Sequence, residues 1–420
     1  MTTPARLERE LPGILDDLAL GPTPEYLDGV FAQTARMRQR PAWTFPERWI
    51  PMAETASRPA FAPRLPWRAI GVALVIIALV AGVTAAYVGS HQTRLPAPFG
   101  PAANGLIAYT AIGDIYVGDP VTGASRLLVG GTHDDIAPSF SPDGTHVAFF
   151  RAIKDGVVDI FTVRADGADL RRITTEPIEA ITWWQWTPDS QHLAVIHRQG
   201  ANDRLDMIGM NGQVQRLAGD MSVTSLAFRP PLGQEILFRS PKAGQWGLFA
   251  MNADGSNIHP LVMSPNPLDV DETFNRATYS ADGTRIFYQH GEPDGCCELW
   301  VMDADGSNQH RFLSVAANNN WEGVPVVSPD GRWVAFWQNV NDRPTQQISI
   351  MRADGTGAVI KTGPPLSGPA SYVWAPDSSG LLMVANGSDG MAYLLDPAGG
   401  DWTSLGWTPG DVPDWQRLAP

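Results

Sequence analysis

The chain has 420 residues with 30 basic and 44 acidic side chains, a net charge of −14. No broad basic surface is therefore available to neutralise phosphates, and nucleic acid is excluded as its ligand. Its only two cysteines, Cys296 and Cys297, are adjacent, which excludes a disulfide framework; the pair reads as two thiols near a turn, with a strained bond between neighbours as the alternative.

Residues 1–40 read as a small helical arm. Leu7, Leu11, Ile14, Leu15 and Leu18 recur with a helical period that Pro12 and Gly13 interrupt. After Gly21 and Pro22, Thr23 is a good N-cap, with Pro24 at the first helical position and Glu25 in the first turn. The second helix carries Leu27, Val30 and Phe31 on one side until Pro41 stops it. Two such short helices are marginal alone, so their stripes are expected to be covered by a partner, a second copy or the membrane surface, a cytoplasmic protein being the favoured partner.

Residues 41–68 contain prolines at 41, 46, 51, 59, 63 and 66, which make an extended juxtamembrane linker. Trp43, Phe45 and Trp49 exceed what a spacer needs. They are expected to continue the docking surface, or alternatively to lie against a bilayer.

Ala69 to Gly89 is a run of 21 residues without a charge, long enough as a helix to cross a bilayer core of about 30 Å. The expectation is one transmembrane helix. Arg58, Arg64 and Arg68 precede it against Arg94 behind it, which puts the N-terminus in the cytoplasm and the rest outside, in a single-pass cell-membrane topology.

The segment LPGILDDLALGPTPEYLDGVFAQTARMRQRPAWTFPERWIPM resembles the N-terminal region of bacterial membrane proteins related to anti-sigma factors. That resemblance implies control of a sigma factor by the arm. The zinc-binding version of the pattern needs a histidine and a Cys-x-x-Cys pair, and residues 1–68 hold neither His nor Cys.

Beyond a linker at 90–103, residues 104–420 form a repeat array. FSPDGTHVAFF, WTPDSQHLAVI, YSADGTRIFYQ, VSPDGRWVAFW and WAPDSSGLLMV start at 140, 186, 279, 327 and 374, with a degenerate FRPPLGQEILF at 228. The period suits a four-stranded propeller blade. Each SPDG reverses the chain between two apolar runs, and an ADG or related turn follows before the outer strand. Residues 105–129 supply three strands without an inner one, and Val412 to Gln416 is an orphan strand that would complete their blade. The fold class is thus all-β, a seven-bladed propeller with six blades as the alternative, preceded by the membrane helix and the arm.

These repeats resemble the TolB-type propellers and the N-terminal propeller of dipeptidyl peptidase IV relatives. The resemblance speaks for fold and leaves function open. No G-x-S-x-G occurs, so the peptidase chemistry of the second group is excluded. Asp135 stands six residues before Ser141 and Glu322 six before Ser328, which makes them candidates for an acidic channel rim that takes a cation or a basic peptide. Alternation sends Trp184 and Trp186 to one face of their strand and Trp183 to the other. The functional expectation is a non-enzymatic signalling regulator of anti-sigma type whose propeller meets an extracytoplasmic ligand. The alternatives are an envelope scaffold of TolB type and, less favoured, a propeller lyase or hydrolase. No catalytic, metal or cofactor residues are assigned.

Overall fold

The computed structural model describes residues 71–80 and 95–419, apart from 243, 265–275, 292–296, 314–321, 340–345, 358–359, 367–369, 386–389, 399–401 and 411–412. The chain divides into two units, Met1–Tyr87 and Val88–Pro420.

The second unit is a ring of seven antiparallel sheets, six of four strands and one, blade 2, with a short fifth strand, Ile178–Glu179, paired to Val157–Arg164. Six blades are continuous in sequence, and their inner strands are Asp135–Phe140, Ile181–Trp186, Ser225–Phe228, Thr278–Tyr279, Glu322–Val327 and Ala370–Trp374 in blades 2 to 7. Blade 1 takes three strands from the N-terminal side, Ala103–Ala111, Asp114–Gly118 and Ser125–Val129, and its innermost strand, Asp414–Leu418, from the C-terminal end. The expected closure is therefore present. Seven is the number of blades, and the degenerate repeat forms blade 4 with strand Glu235–Lys242.

Alternation explains how such a ring finds a core. In strand His192–Gln199, Leu193 and Val195 face blade 2 while Ala194 and Ile196 face blade 4, and all four are fully buried. A strand covered on both faces reads as an unbroken apolar run. Among the described residues the buried side chains fall into seven clusters, one for each seam between adjacent blades. The tryptophans obey the same rule. Trp184 and Trp186 enter the seam with blade 2, and Trp183 the seam with blade 4.

The turns that end the inner strands are built alike. Ser141 Oγ accepts from the His146 amide at 3.0 Å and donates to Asp143 Oδ1, which also accepts from the Thr145 amide at 3.0 Å. Ser280 with Asp282 and Ser328 with Asp330 repeat the pattern. Neighbouring turns also meet across seams. A Cβ on Gly144, at φ +71°, would lie 2.1 Å from the Arg417 carbonyl oxygen, so only glycine permits that approach. Where serine stands instead, at Ser190 and Ser378, φ is still +59° and +64°. There the hydroxyl compensates by accepting the amide of Asp143 or Asp330 from the preceding blade, at 3.1 and 3.0 Å.

The first unit departs from expectation. Its described residues, 71–80, are helical. Among the described residues no helix is long and apolar enough to cross a membrane, which corrects the transmembrane helix expected over Ala69–Gly89 and the single-pass topology built on it. The arm at 1–40 and the linker at 41–68, with Leu27, Val30, Phe31, Trp43, Phe45 and Trp49, lie outside the described residues.

Candidate functional site

The inner strands surround a central channel with two mouths. They begin at one, fed by the connections between blades, and end in the Ser-Pro-Asp-Gly turns at the other.

Asp135 opens the inner strand of blade 2 at the connection side. It is completely buried, and Arg151 forks onto it, Nε to Oδ1 at 2.7 Å and Nη2 to Oδ2 at 2.8 Å. The Arg151 guanidinium lies 4.3 Å from the Phe161 ring centre and 5.8 Å from that of Phe149. The carboxylate expected on the rim is thus already neutralised inside the blade. Glu322 opens the matching strand of blade 6, opposite Gln338; its side chain lies outside the described residues. The structure therefore does not bring the two carboxylates together as a described rim.

At the same mouth sits a cation that sequence reading missed. Arg276 enters blade 5 three residues before Tyr279, with φ +47°, and Ala137 and Val324 have φ +52° at the same repeat position in blades 2 and 6. The left-handed turn re-aims these residues out of the ladder. Arg276 is exposed, and its guanidinium lies 5.3 Å from the Trp183 ring centre. In the neighbouring blades 6 and 7, the Tyr372 hydroxyl donates to the Val324 carbonyl. Burial pushes that hydroxyl up, against the opposing effect of Arg276 and the Trp337 backbone.

Farther out in blade 3, Asp206 accepts from Arg216 at 2.9 and 3.1 Å and pairs with His197 Nε2 at 2.9 Å. Burial raises its carboxyl, but the His197 and Arg216 hydrogen bonds outweigh this and hold it at about 2, below the usual 3.8. A depressed carboxylate stabilises the fold above its unfolded value and loses that contribution as pH falls toward the folded one. Thermal melts of wild type and Asp206→Asn should therefore differ by on the order of 1 kcal/mol at pH 5 and converge as pH drops from 3.8 to about 2. A gap that persists at pH 2 would show that packing, not charge, separates them.

The turn-side mouth is covered. The connector leading into blade 1 crosses it, with Pro96 buried and Pro98, Phe99 and Gly100 half-buried. Arg417 Nη2 donates to the carbonyls of Ala97 at 3.0 Å and Gly100 at 2.6 Å, and the Ala102 amide donates to the Pro376 carbonyl at 2.9 Å. Beside Phe99 lies a cavity of about 220 Å³, lined by Phe228, Tyr279, Val327, Pro329 and Arg417 among others. Burial pushes the Arg417 guanidinium below its ordinary value, opposed by Asp414. Tyr279 is fixed by donating to Glu235 at 2.8 Å, which Arg229 also holds at 3.0 Å.

No family model matches the chain. The Tol-Pal system protein TolB of Anaeromyxobacter dehalogenans is 34% identical over 176 residues, which are 40% of this chain and 38% of that protein. The match thus spans well under half of the relative's length. An uncharacterised protein of Agrobacterium fabrum is 24% identical over 206 residues, 47% of this chain and 67% of that protein. Among solved structures, the propeller domain of the trilobed protease from Pyrococcus furiosus superposes with a TM-score of 0.51 at 13% identity, over 74% of this chain and 97% of that one. Oligogalacturonate lyase from Vibrio parahaemolyticus gives 0.51 at 11% identity, over 74% and 86%. These likenesses concern the fold alone. The archaeal domain is described as having an open velcro topology, whereas here the C-terminal strand closes the ring.

The sequence similarity runs to TolB, so the anti-sigma-type regulator, its cytoplasmic sigma-factor partner and the cell-membrane placement with a cytoplasmic N-terminus are corrected. Among the described residues no group of three His, Cys, Asp or Glu side chains could hold a metal ion.

Proposed function

We propose that this chain is a TolB-like propeller that serves as a scaffold in the cell envelope by binding a protein partner at the connection-side mouth of its channel. The observation that carries the reading is the 34% identity to TolB over 176 residues. The choice of mouth follows from the connector, which covers the other one. At the connection-side mouth the exposed Arg276 beside Trp183 offers a cation and an aromatic face, the residue types that dominate protein interfaces.

The test is a calorimetric titration of the full chain with the Pal component of its host's Tol-Pal system. A saturable one-to-one complex that Arg276→Glu weakens tenfold or more is expected. Absence of heat and of cross-linking at any ratio would overturn the reading.

A further inference from the structure

We propose that the turn-side mouth is a binding site for an extended, proline-flanked aromatic peptide segment, occupied in cis by the connector and competent to take a partner's segment of the same chemistry in trans. This goes beyond the proposed scaffold role and concerns the opposite mouth.

The connector shows what the site recognises. Its residues 95–101 read Leu-Pro-Ala-Pro-Phe-Gly-Pro, a composition that favours an extended chain without internal hydrogen bonds and so loses little entropy on docking. Leu95 and Ala97 are exposed while Pro96 between them is buried, so one edge of the segment faces the propeller. Arg417 reads two carbonyls three residues apart, those of Ala97 and Gly100. Gly100 has φ +77°, a conformation that glycine adopts freely and that turns its carbonyl toward the same guanidinium. Phe99 packs against the seam of blades 3 and 4. The site thus reads backbone through one arginine and side chains through one aromatic position.

Two observations indicate that the cis segment does not saturate the site. The cavity beside Phe99 holds about 220 Å³, more than the roughly 150 Å³ that accommodates a benzene ring in an apolar interior. Arg417 Nε is buried without a hydrogen-bond partner, and no carboxylate forms an ion pair with this guanidinium among the described residues. A segment with a larger aromatic group would fill more of the cavity. Tethering gives the connector an effective concentration of at least about 1 mM, so a free peptide competes only once the cis contact is weakened.

The probe is a fluorescein-labelled peptide of residues 95–102, LPAPFGPA, titrated with the full chain and followed by anisotropy. Phe99→Ala removes the aromatic anchor of the cis segment, and this variant should bind the probe about tenfold or more tightly than wild type does. The same peptide with alanine in place of its phenylalanine should lose that binding, a comparison that needs no second protein variant. Replacing the phenylalanine with tryptophan should strengthen it. Adding Arg417→Gln to Phe99→Ala should abolish binding while far-UV circular dichroism and a cooperative melt still show a folded propeller. Equal binding by wild type and Phe99→Ala, or indifference to the phenylalanine of the probe, would overturn the proposal. Failure here with an intact Pal complex, or the reverse, separates this site from the proposed scaffold function.

Discussion

A chain ending at Gly410 will elute from a size-exclusion column as associated species and will melt far below the full-length chain. The missing strand, Asp414–Leu418, is the inner wall of blade 1 and hydrogen-bonds blade 2. Trp415 is 4% exposed, packs with Ile107, Tyr109 and Trp407, and donates to the Gly105 carbonyl at 3.1 Å. Asp414 accepts from Ser139 Oγ at 2.7 Å and the Phe140 amide at 2.8 Å, while Gln416 donates to the Gly144 carbonyl at 2.7 Å and accepts from the Leu106 amide at 3.1 Å. Truncating one buried tryptophan costs about 3–5 kcal/mol, and each lost hydrogen bond about 1 kcal/mol more. Such a total rivals the whole stability of a typical domain, roughly 5–15 kcal/mol. The Ala103–Ala111 strand would then present an open edge to other copies. An unchanged melt and elution volume would remove the closure from the account of stability.

Arg151→Met will destabilise the chain by about 3–5 kcal/mol in urea unfolding, because it strands the fully buried Asp135 carboxylate. The pair, rather than the arginine alone, is what matters. Adding Asp135→Asn should recover at least half of the loss, since the uncompensated charge is then gone. If the double variant is as weak as the single one, the loss comes from the stacking of Arg151 on Phe161 and not from the charge.

That experiment also shows where sequence reading runs out. The SPDG spacing, the orphan strand near 412–416 and the opposed faces of Trp183 and Trp184 were all legible, because turn chemistry and period-two alternation are local properties. Asp135 looked like a free rim carboxylate because its partner is 16 residues away on the next strand. Arg276 carries no sequence mark, since its place depends on a left-handed backbone where any residue but glycine is unusual. The connector is proline-rich and aperiodic, so nothing local tells that it folds back onto Arg417. The apolar run from Ala69 misled for a different reason. A charge-free run of 21 residues prompted a span, whereas among the described residues no helix is long and apolar enough to cross a membrane.

The seam in blade 1 also sets an order of events during synthesis. Ala103 and Leu418 are paired in adjacent strands of blade 1, so the first strands of the propeller to leave the ribosome are the last to be completed. Joining ends some 315 residues apart would cost a free chain about 5 kcal/mol in closure entropy. Six blades that form beforehand from contiguous sequence shorten that search by bringing the ends together as they assemble. Until Trp415 emerges, the nascent ring carries an exposed strand edge, and that interval is when a chaperone, or a second unfinished chain, has its opportunity.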